Sequence, residues 1–190
     1  MAQITLDMVA DGPLVGYSLT GAATRWEAVS DAALDDTSYV SSSVLNAATT
    51  FYAPNVTTGQ IPDFSTINWV QMTITARRVG GGPVRTAMGV YNGSNIPDDR
   101  REDASPDVLS STSYLTYDHQ LTTDPFTSAA WDLDILRAWR DNATTTDRRA
   151  FGFRADAVTT AQRITRVQVV VDYTEGSPPS SSWVPPPVIF

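Results

Sequence analysis

The sequence predicts an all-β fold, a single antiparallel β-sandwich. Three observations predict it: strand-length runs that alternate with period two, Gly/Pro/Asp punctuation between them, and a near absence of helical spacing. In the clearest run, Ile67 to Val79, one face carries Val70, Met72, Ile74 and Ala76. The other carries Gln71, Thr73, Thr75 and Arg77. Alternation of that length marks a strand with one face in a core and one toward solvent.

The remaining elements follow in order. Ile4-Thr5-Leu6 opens a first strand, closed by the turn signal Asp11-Gly12-Pro13. Arg25 to Ser30 reads as a short strand, and Thr49 to Tyr52 as another that stops at Pro54. Gly80-Gly81-Gly82-Pro83 ends the long strand and starts a hairpin into Val84 to Tyr91, where Val84, Met88 and Val90 share a face. Asn92 to Pro106 is polar and reads as a loop. Tyr114 to Thr122 returns to strand character, with Leu115, Tyr117, His119 and Leu121 in phase. Trp131, Ile135 and Trp139 recur four apart and mark the one short helix, with Asp132 as its cap. Ala150 to Ala155 and Ile164 to Tyr173 close the domain, the latter with Val167, Val169 and Val171 on one side.

Many short strands with such turns indicate a jelly-roll or Greek-key sandwich. The domain spans residues 1–174. Residues 175–190, EGSPPSSSWVPPPVIF, form a Pro/Ser-rich linker with an apolar docking arm. Trp183, Val184, Val188, Ile189 and Phe190 are its interface candidates, because bulky apolar groups on a stiff spacer lose little entropy on docking. Folding of that tail back onto its own sandwich is the alternative.

Composition excludes several classes of function. With 190 residues the chain can bury a core without staples, and having no cysteine it has no disulfide or thiolate metal site. The N-terminal MAQITLDMVADGPL has neither basic flank nor long apolar run, so no export signal and no membrane span are expected. Twenty-one acidic residues against 13 basic ones give a net charge of −8, which argues against nucleic acid as a partner. Every basic residue is arginine, which fits either codon usage or the interface chemistry of guanidinium.

Catalytic constellations are weak. His119, beside Asp118, lacks a nucleophile on a Gly-x-Ser-x-Gly turn, and its strand phase makes it a packed histidine. The carboxylate pairs Asp98-Asp99, Glu102-Asp103 and Asp132 with Asp134 read as solvated faces or caps, and none has the spacing of a calcium loop. No enzyme activity, catalytic residue, cofactor or metal is expected. Sugar binding needs exposed aromatic planes ringed by polar groups. Trp69 and Tyr91, both on the polar phase of their strands, are the candidate platform, while Trp26, Trp131 and Trp139 read as core.

The order of segments resembles the jelly-roll domains of tailed-bacteriophage and prophage virion proteins, related in shape to carbohydrate-binding modules. The residues that carry it are Ile4-Thr5-Leu6, Gly21 to Asp31, Asp35 to Val40, Ala76 to Gly82, Trp131-Asp132-Leu133, Phe151 to Ala155 and Ile164 to Tyr173. The resemblance implies a non-enzymatic structural subunit located in a virion, in capsid decoration, head-tail or tail. Its partners would be other virion proteins, in many copies or as a homo-oligomer. The alternative it leaves open is a carbohydrate-binding module for glycan attachment.

Overall fold

Period-two burial does build a sandwich. The computed structural model describes residues 1–30, 36–92, 100–141 and 148–178. Among these, twelve strands form two antiparallel sheets: β1 (Ala2–Asp7), β2 (Ala10–Val15), β3 (Ser18–Thr20), β4 (Tyr39–Ser42), β5 (Ala48–Tyr52), β6 (Thr66–Arg78), β7 (Val84–Asn92), β8 (Arg100–Glu102), β9 (Asp107–Val108), β10 (Leu115–Leu121), β11 (Arg149–Val158) and β12 (Gln162–Thr174). One sheet runs β10-β6-β12-β4-β3, with β1 on the far half of β12; the other runs β2-β5-β11-β7-β8, with β9 also on β7. Successive long strands change sheets, β5 to β6 to β7 and β10 to β11 to β12, which gives the expected all-β jelly-roll sandwich. No helix among the described residues is long and apolar enough to cross a membrane.

The core lies between the inner faces. Val70, Met72 and Ile74 of β6 and Val167, Val169 and Val171 of β12 meet Met88, Val90, Phe151 and Phe153 of the opposite sheet, all buried. Tyr17 and Trp139 close the ends edge-on, with ring centroids 5.0 Å from Phe153 and 5.1 Å from Phe151. Leu115, although in phase with Tyr117 and Leu121, is 44% exposed at the start of β10, whereas those two are partly buried against the core.

Four local expectations are corrected. Arg25 to Ser30 is not a strand but the helix α1 (Arg25–Val29), because Thr24 and Glu27 form a reciprocal capping box that satisfies its first amides. Asp11-Gly12-Pro13 lies within β2, whose register on β5 slips between Asp11 and Val15. The glycine segment after β6 is no hairpin. Both edges of β6 are taken by β10 and β12, so β7 pairs with β11 in the other sheet. Within the polar stretch, β8 lies so close over Gly89 that a Cβ there would stand 2.3 Å from the Arg101 carbonyl oxygen.

The expected helix is α2 (Leu133–Ala138), and Asp132 does cap it, accepting from the Asp134 amide at 2.8 Å. Trp131 and Trp139 are buried as expected, their indoles donating to the carbonyls of Leu121 and Pro54. A buried polar group with a partner escapes the desolvation penalty.

Candidate functional site

The alternation that buries Val70 and Met72 turns Trp69, Gln71 and Thr73 to the outer face of the β6 sheet. Register places Asp172 beside Trp69 and Gln168 beside Thr73, with Gln3 opposite Asp172 and Asp7 opposite Gln168. The face is rich in amide and carboxylate groups, held by hydrogen bonds to one another. Asn68 Nδ2 and Gln3 Nε2 donate to the two oxygens of Asp172 at 2.6 and 3.0 Å, and Gln168 Nε2 donates to Asp7 at 2.8 Å. The bonds from Asn68 and Gln3 hold the Asp172 carboxyl below the usual carboxylate range. Trp69, half-buried, is the aromatic among them.

Where β6 begins there is a groove of about 690 Å³. One wall is Asp63 to Ile67, the other Ala130 to Asp134 with Arg137 of α2. The lip is Phe64. The residue is 59% exposed and its backbone holds φ 65, the left-handed region that an aromatic residue rarely enters. Buried Trp131 lies below. Arg137 Nη2 meets Asp63 at 2.6 Å and so ties the two walls together. Ser65 Oγ and Arg137 Nε are buried without a hydrogen-bond partner.

Phe64 and Trp69 are five residues apart, so at most about 18 Å separates their Cα atoms. Both stand at the same end of the molecule. Tyr91 does not join them. It lies on the outer side of the opposite sheet, is only 2% exposed, and gives its hydroxyl to Glu102 at 2.6 Å. The expected platform of Trp69 with Tyr91 is therefore corrected: one ring is available and the other is not. Sequence reading missed Phe64, for which the available signal was an aromatic inside the turn-like Pro62-Asp63-Phe64-Ser65.

His119 is half-buried, with Asp103 at 3.7 Å as its acidic neighbour. Burial holds its pKa below the ordinary imidazole value, against the pull of Asp103 and Asp107. Among the described residues, no group of three or more His, Asp or Glu side chains is placed to hold a metal. Asp98, Asp99, Trp183, Val184, Val188, Ile189 and Phe190 lie outside the described residues.

The sequence matches no family model and no curated protein. Among solved structures it is similar to the xylan-binding CBM22-1 domain of Paenibacillus barcinonensis Xyn10C, at 8% identity and TM-score 0.41, over 89% of this chain and 95% of that one. It is also similar to a carbohydrate-binding module of Cellvibrio mixtus lichenase 5A in complex with cellotriose (10%, TM-score 0.41, 90% and 98%). A third is CBM35 from Cellvibrio japonicus Abf62 (11%, TM-score 0.40, 93% and 99%). Likeness at this level is one of strand arrangement and carries no ligand across. The expected role as a tailed-phage structural subunit is corrected to one without support: the three neighbours named are carbohydrate-binding modules, and none is a virion protein.

Proposed function

We propose that the chain is a non-catalytic glycan-binding module, taking a polysaccharide or oligosaccharide along the Phe64 groove and onto the outer face beside Trp69. The observation that carries this is Phe64, an aromatic ring held open in left-handed backbone on the lip of a polar groove. Backbone strain of this kind costs on the order of 1–3 kcal/mol and persists where the surroundings impose it. An exposed ring offers a flat apolar surface to the C–H face of a sugar, while the carboxylates of Asp63, Asp132 and Asp134 and the Arg137 guanidinium that line the groove can hydrogen-bond ring hydroxyls.

A glycan array followed by affinity electrophoresis tests this. Phe64→Ala and Trp69→Ala should each weaken retention about tenfold, the equivalent of about 1.4 kcal/mol. Tyr91→Phe should leave retention unchanged, because that ring is closed off. If no glycan is retained, or if both alanine variants bind as the parent does, the proposal fails.

A further inference from the structure

The groove beside Phe64 holds an excess of negative charge. Asp63, Asp132 and Asp134 line it with a single cation, Arg137, and Asp63 already engages that guanidinium. One oxygen of Asp132 accepts the Asp134 amide. The other oxygen of Asp132 and the whole Asp134 carboxylate have no bonded partner among the described residues, and both side chains are exposed. These free carboxylates stand with the open Phe64 ring in one cleft. An aromatic face beside unpaired carboxylates attracts a cation through both the ring quadrupole and the ion pair. The chain's net charge of −8 acts in the same direction at longer range, concentrating cations and repelling anions.

We infer that this groove selects glycans bearing free amines, that is polymers of amino sugars, over neutral and acidic chains. The inference rests on the glycan-binding reading proposed above and adds the chemistry of the ligand. A sugar laid on Phe64 presents its ring substituents to the groove wall. An ammonium among them replaces a hydroxyl that would gain only a hydrogen bond from the same carboxylate.

Three β-1,4-linked hexamers with one backbone separate the two statements: glucose, N-acetylglucosamine and glucosamine. Their affinities are measured by calorimetry near pH 5.5, where the amines are protonated and ordinary carboxylates ionised. The glucosamine hexamer should bind about tenfold tighter than the other two, as expected for a cation–π contact with exposed ion pairs. That ratio should fall toward one in roughly 0.5 M salt. It should also fall toward one in the double variant Asp132→Asn/Asp134→Asn, which removes both charges while an asparagine side chain can still cap the helix. Equal binding of all three hexamers, lost in Phe64→Ala, would overturn amine selection and leave glycan binding standing. A preference that survived in the double variant would likewise overturn selection by this groove. No binding of any hexamer would overturn amine selection, while glycan binding itself stands or falls on the array.

Discussion

The carbonyl oxygen of Phe64 lies 1.9 Å from the point where a Cβ on Gly176 would stand. The chain leaving β12 therefore passes against the backbone of the groove's lip, and only glycine permits that approach. Gly176 thus helps fix where the exposed ring sits without touching what the ring would bind.

Gly176→Val should push the two backbones apart and displace Phe64. Glycan retention should weaken about fivefold, roughly 1 kcal/mol. The melting temperature should move by no more than about 3 °C, since the core lies elsewhere. Retention equal to that of the parent would show that the lip tolerates the shift and that its position is not set by this contact.

Most of the sandwich was legible because a sheet buried on one face writes its geometry directly into parity. Val70, Met72 and Ile74 could be assigned to the core for that reason. Parity fails where burial has another cause. Tyr91 leaves its strand on the outer side, yet it is closed off and bonded to Glu102, and the sequence says nothing of what lies over a sheet. The helix at Arg25 is five residues long, too short for a helical period to emerge, and its signature was the Thr24/Glu27 box rather than any repeat. The partner of β7 was hidden because pairing is decided by which edges are vacant, a property of the whole topology. Phe64 escaped for a related reason: left-handed backbone at an aromatic residue is imposed by surroundings, and no local preference announces it.

Asp124 and Arg149 form a fully enclosed ion pair, their side chains 0% and 2% exposed. Nε and Nη2 of Arg149 reach the two carboxylate oxygens at 3.2 and 2.8 Å, and the ring of Phe126 covers the guanidinium at 4.7 Å. Asp124 also accepts from the Phe126 amide and the Thr127 hydroxyl, so it fastens the 123–130 turn to β11. Removing one partner strands a buried charge. Asp124→Ala should cost roughly 3–5 kcal/mol, a fall of about 6–20 °C in melting temperature. Asp124→Leu/Arg149→Met, which removes both charges, should recover much of that loss. A single variant within about 1 kcal/mol of the parent by urea denaturation would show that the pair is hydrated.

Acid should destabilise the protein in two separate windows. Asp36 accepts hydrogen bonds from Arg77, Tyr114 and Arg163, and the Arg77 bond is the main reason its pKa falls to about 2. A carboxyl easier to ionise in the folded chain than in the unfolded one stabilises fully above about pH 4, and that contribution is lost between about pH 4 and pH 2. His119 acts at higher pH. Burial keeps its imidazole harder to protonate in the folded state, so the unfolded chain takes up the proton first. Stability is then whole above about pH 6.5 and declines as pH drops below that value toward the depressed folded pKa. Urea midpoints measured from about pH 8 to pH 2 should show both declines. His119→Gln should flatten the upper one and leave the lower intact, and Asp36→Asn should do the reverse. A stability that rose on passing below about pH 6.5 would mean that the attraction of Asp103 outweighs burial at His119.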